Sequence, residues 1–172
     1  LGTEIVHIAG CSPVEGVSLS DSRKLIAEGL LDFADEVQKR GMTLAFEDFN
    51  PSASLICSIA DCLEILHLTR GRVKFVFDTG NFEAAGEHAE DAFAKLIGHT
   101  CHFHFKDFLP VTDPKVQHGA HFGQGVIKNR EIVGLIKKAG YSGWVALESY
   151  LQGQNGPVET IQPELTLLKS WF

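Results

Sequence analysis

The chain has 172 residues, 44% of them hydrophobic and 22% charged, with a formal net charge of −7. That is the composition of an ordinary globular domain. An acid excess without a Lys/Arg cluster argues against nucleic acid or an anionic membrane as partner, and no apolar run reaches the roughly 18 residues a spanning helix needs.

No secretory signal is visible, and the chain runs from Leu1 straight into the apolar stretch EIVHIAG. This reads as a piece of a longer polypeptide. Cys11, Cys57, Cys62 and Cys101 form no CxxC pair and sit in apolar surroundings. Reduced thiols and a cytoplasmic setting are expected.

In chain order, 4–10 reads as a strand and 20–41 as an amphipathic helix, capped by Ser20 or Asp21 and stopped at Gly41. Residues 42–49 read as a strand, 53–70 as a helix ended by Gly71, 73–81 as a strand and 87–98 as a helix. A strand over 100–108 precedes a longer loop containing Gly119, Gly123 and Gly125. A helix over 130–140, a strand over 143–150 and a Pro163-interrupted helix over 158–172 complete the chain. Five strands, each followed by a helix, predict a parallel α/β sheet with right-handed crossovers and no internal domain boundary.

Side chains alternate across a strand. One parity carries Val6, Ile8, Leu44, Phe46, Phe75, Phe77, Phe103, Phe105, Val145 and Leu147, suited to packing under helices. The other carries His7, Thr43, Ala45, Glu47, Val76, Asp78, His102, His104, Lys106, Ala146 and Glu148, and becomes polar toward the strand ends. An open doubly wound sheet would be apolar on both faces. One apolar and one convergent polar face predict a (β/α)8 barrel interior, present here as a partial barrel of about five βα units. The stretch CHFHFKD (101–107) follows the same rule, with His102, His104 and Lys106 inward.

Four strands end in one metal-capable inner side chain: Glu47, Asp78, His104 and Glu148. Singly, such a Glu has a plainer role as a rim salt-bridge partner, and such a His as a hydrogen-bonded core group. As a set, three carboxylates would raise one another's pKa values. A divalent cation resolves that conflict, and an oxygen–nitrogen set suits Mn²⁺, Mg²⁺ or Co²⁺ and tolerates Zn²⁺.

At LAFEDF (44–49), FVFDTGN (75–81), HFHFKD (102–107), FGQGVI (122–127) and GYSGWVALES (140–149), the chain resembles the xylose-isomerase-like barrel superfamily, its sugar-phosphate isomerase/epimerase group in particular. The resemblance covers nearly all of residues 1–172, as the C-terminal part of one barrel domain, its fourth to eighth units. It implies that Glu47, Asp78, His104 and Glu148 bind one divalent metal, Mn²⁺ first among the choices. Glu47 and Glu148 are implied as the acid–base pair, moving protons next to a metal-bound carbonyl through an enediolate. Asn81, Lys106, His7 and His102 are implied as substrate contacts, although Lys106 also suits an ion pair with Asp107 or a neighbour.

Free-ketose 3-epimerases usually carry His where Asn81 stands, and Pro110 lies where they place an Arg. The DTGN and HFKD forms are closer to the phospho-sugar branch. The expected partner is therefore a small sugar or sugar phosphate; a homo-oligomer is compatible. Competing readings are a dehydratase on the same fold, a three-zinc endonuclease IV-type relative, disfavoured by the acidic charge, and an inactive sugar-binding remnant.

Overall fold

The computed structural model describes residues 2–49, 55–110, 118–150 and 156–172. Its elements are β1 (Ile5–Ile8), α1 (Leu19–Lys39), β2 (Thr43–Glu47), α2 (Ile59–Leu68), β3 (Lys74–Asp78), α3 (Asn81–Ala84), α4 (Ala89–Leu96), β4 (Thr100–Phe105), α5 (Asn129–Lys138), β5 (Val145–Leu147) and α6 (Gly156–Trp171). The five strands are all parallel and lie side by side in chain order, β1-β2-β3-β4-β5. This is a half-barrel, as the alternation of elements predicts.

Local chemistry sets the element ends. Ser18, rather than Ser20 or Asp21, caps α1: its hydroxyl accepts the Asp21 N–H at 3.1 Å. An N-cap hydroxyl reaches the free amide two or three residues on, and Ser18, immediately before Leu19, does so. Ser58 and Asp61 form a reciprocal capping box that starts α2 at Ile59. The sequence-based start at Ala53 lies outside the described residues. Gly41 takes a φ of +72° just past α1, which suits a residue without a Cβ. Pro163 does not interrupt α6, which runs through it. The short helix α3 directly after β3 is not foreseen by periodicity, since four residues carry too little pattern.

The outward parity of the strands builds the core. Phe46, Phe75, Phe77, Phe103 and Phe105 are buried against Ile65, Phe93 and Ile132 of the helices. Ring contacts continue from Phe46 to Phe75, Phe77 and Phe103 at centroid distances of 5.3 to 6.0 Å. The inward parity carries the small and polar side chains, and that face is concave. It encloses a cleft of about 490 Å³ lined by Thr3, Ile5, His7, Val76, His102 and Trp144 among others.

Cys11, Cys57, Cys62 and Cys101 form no disulfide. Among the described residues, no helix is long and apolar enough to cross a membrane.

Candidate metal centre

The parallel register brings the strand ends level. Glu47 is the last residue of β2 and Asp78 the last of β3; His104 pairs in register with both Asp78 and Ala146, and Glu148 follows β5 directly. One ligand atom from each of Glu47, Asp78, His104 and Glu148 lies within 4.8 Å of those of the others. The side chains grouped by parity and depth therefore converge in space.

Two neighbours hold the Glu47 carboxylate. His104 Nδ1 lies 2.7 Å from Oε1, and His7 Nε2 lies 3.0 Å from Oε2. Burial works against the charge, but these hydrogen bonds outweigh it and hold Glu47 down at about 2. Contacts to the same His104 nitrogen, at 3.0 Å, and to Lys106, at 2.7 Å, hold Glu148 at about 2 despite partial burial. His104 is pushed in the opposite sense. Burial disfavours its cation, yet hydrogen bonds to Glu148 and Glu47 raise it to about 10.

Asp78 is fully buried, and that burial raises it to about 6 against the pull of Lys106. Its Oδ1 accepts the N–H groups of Gly80 at 2.8 Å and Asn81 at 3.0 Å. Its Oδ2 faces Lys106 Nζ at 2.8 Å. Lys106 thus pairs with Asp78 and Glu148, not with the adjacent Asp107.

The remaining candidates fall into different settings. His7 sits directly on Glu47. His102 meets His104 edge to face at 5.1 Å and lines the cleft, with its Nδ1 buried and without a hydrogen-bond partner among the described residues. Asn81 is 3% exposed, and its Nδ2 donates to the Asp48 carbonyl at 2.8 Å, which commits its amide nitrogen to the protein.

Two acids that residue typing passes over matter here. Asp48 is fully buried behind the site; its Oδ1 accepts the Asp78 N–H at 3.3 Å, while Oδ2 has no hydrogen-bond partner among the described residues. Burial, with the charges of Asp78 and Glu47, pushes it well above the ordinary carboxylate range. Asp107 accepts the N–H groups of Phe108, Gly123, Gly125 and Ile127 at 2.9 to 3.1 Å, fastening the glycine-rich loop after β4. Both follow the outward parity, each one residue beyond an inward Glu47 or Lys106. An acid at an otherwise apolar parity was the available signal.

The sequence matches, over residues 1–171, the family described as Xylose isomerase-like TIM barrel. The chain belongs to that family. Among curated relatives, L-ribulose-5-phosphate 3-epimerase UlaE of Escherichia coli strain K12 is 24% identical over 162 residues, which is 94% of this chain and 55% of that one. The chain spans about half the length of the curated relatives it matches, 55% for this one. A crystallised D-tagatose 3-epimerase-like protein superposes with a TM-score of 0.80 at 19% identity, over 98% of this chain and 62% of that one. The IOLI protein, solved with a zinc atom, gives 0.79 at 18% identity, over 100% of this chain and 65% of that one. Both solved structures establish the likeness of fold.

The donor set fits a divalent cation. Three carboxylates and an imidazole are the oxygen–nitrogen ligands such ions take. Their mutual repulsion calls for positive charge between them, which His104 and Lys106 supply here and a divalent cation would supply when bound.

Proposed function

We propose that this Xylose isomerase-like chain carries the metal and acid–base half of an isomerase or epimerase acting on a small sugar or sugar phosphate. The observation that supports the reading is the convergence of Glu47, Asp78, His104 and Glu148 from four successive strand ends. These four would hold the cation, with Mn²⁺ the first to test. Bound there, a divalent ion supplies Lewis-acid polarisation of a substrate carbonyl.

The chain's own residues supply the proton work. Glu47 and Glu148 are separate carboxylates that both meet His104 Nδ1, at 2.7 and 3.0 Å. One takes the proton from the carbon next to the carbonyl, and the other returns a proton to the opposite face. Glu47, with 3% of its side chain exposed and two imidazoles on it, is shielded from water. Glu148, at 43%, is open to solvent and can exchange its proton there. His7 and His102 line the cleft on the N-terminal side of these ligands; His7 Nε2 is held by Glu47 and His102 Nδ1 is buried, so a sugar hydroxyl would meet the other ring nitrogen of each. The likeness to UlaE makes a phosphorylated ketose the first substrate to test; the Lys106 ammonium, here paired with Asp78 and Glu148, would reach a substrate oxygen or phosphate only on leaving them.

The test is proton NMR in D₂O with Mn²⁺ and L-ribulose 5-phosphate, alongside the unphosphorylated ketose. Deuterium should enter the carbon next to the carbonyl with no loss of water, and this exchange should vanish in Glu47→Gln and Glu148→Gln. Loss of water would assign a dehydratase instead. A folded, cation-binding chain that exchanges no proton would be a sugar-binding remnant of the barrel.

A further inference from the structure

Lys106 stands on two of the four groups that would hold the cation. Its Nζ lies 2.8 Å from Asp78 Oδ2 and 2.7 Å from Glu148 Oε2. Asp78 offers little alternative, because two backbone N–H groups already occupy its Oδ1. Oδ2 is therefore the oxygen best placed for a cation, and it is the one that the ammonium faces.

The rest of Lys106 is fixed. Its N–H points at Thr79 Oγ1 at 3.4 Å, and its carbonyl accepts Asn129 Nδ2 at 2.9 Å. Its stem runs over Gly80 so closely that a Cβ there would lie 2.6 Å from Lys106 Cγ. Freedom to move is concentrated at the ammonium end.

We propose that Lys106 is the internal counter-cation of this site. Its ammonium holds Asp78 and Glu148 together in the metal-free protein and is displaced from them when a divalent cation binds, so Lys106 weakens cation binding. The inference rests on the metal-holding reading of the site. Its physical basis is charge repulsion: a dication held by Asp78 and Glu148 would repel an ammonium on the same two carboxylates even in a well-screened interior. They compete for the same two carboxylates.

The experiment is calorimetric titration of Mn²⁺ into the chelator-treated chain and into Lys106→Gln, with folding checked by circular dichroism. Lys106→Gln should bind Mn²⁺ about tenfold more tightly or better, since a competing positive charge is gone. A purely structural lysine predicts the opposite sign, because its loss would loosen the ligands; equal or weaker binding overturns the proposal. If neither folded protein binds Mn²⁺, the metal reading and this inference fall together, whereas binding by both with no gain in Lys106→Gln sinks the inference alone. Should Lys106→Gln not fold, the ¹H–¹⁵N ammonium signal of Lys106 in the unsubstituted chain decides. It should be visible while ion-paired and be lost to exchange with water at saturating Mg²⁺; its persistence overturns the proposal.

Discussion

Glu47 and Glu148 are the same residue type at the same depth, yet 3% of one side chain and 43% of the other is exposed. That difference makes them separable by substitution. Glu47→Gln keeps the volume but removes the charge held by two imidazoles, so proton exchange into substrate should fall by about a hundredfold or more at saturating Mn²⁺, read by NMR. Asp48 gives a stability prediction. Asp48→Ala leaves the Asp78 N–H without its acceptor in a buried place and should cost about 1–3 kcal/mol in urea unfolding. Asp48→Asn keeps an acceptor and should cost clearly less. Strand parity makes Glu47, Asp78, His104, Glu148, Lys106 and His7 legible as one inward set. It does not reveal that Lys106 spans Asp78 and Glu148, or that Asn81 turns its amide nitrogen to the Asp48 carbonyl. Those partners come from strands and turns far apart in sequence, and alternation specifies a face without specifying a neighbour.

At the scale of elements, the loop after β4 shows how one side chain substitutes for regular structure. Asp107 gathers four amides that no helix or strand would satisfy. Glu164 of α6 adds a second tie, accepting from His121 Nδ1 at 2.8 Å and from the Phe122 N–H at 3.2 Å. Asp107→Ala should therefore speed amide hydrogen exchange at Gly123, Gly125 and Ile127 by about tenfold or more while leaving β2 and β3 protected. Gly125→Ala should act similarly, because its Cβ would sit 2.1 Å from Asp107 Oδ1 and 2.3 Å from the Phe108 carbonyl oxygen. The strands and long helices could be read from apolar spacing, since burial dictates that spacing. The cap of α1 and the continuity of α6 through Pro163 could not: the first rests on one side-chain hydroxyl, Ser18, and the second on a helix that continues although Pro163 brings no N–H, and neither is a repeating face.

For the whole molecule, the site joins four of the five strands. A cation there should stabilise the entire sheet. At a hundredfold excess over its Kd, Mn²⁺ should add about 2.7 kcal/mol to unfolding, and about 5–10 °C to the Tm for a chain of this size. Asp78→Asn should abolish that gain, which thermal scans with and without metal would show. The spatial order β1-β2-β3-β4-β5 repeats the chain order, so no strand has to slip between two already paired ones. The sheet can grow one neighbour at a time, although each parallel pairing, such as Ile5 with Thr43, must close a whole strand–helix unit. The ligands, however, are spread from Glu47 on β2 to Glu148 beyond β5. Whatever sequence of events assembles the sheet, the complete four-ligand set exists only after β5 has docked, so in a refolding experiment the appearance of tight cation binding would act as a clock for the arrival of that strand.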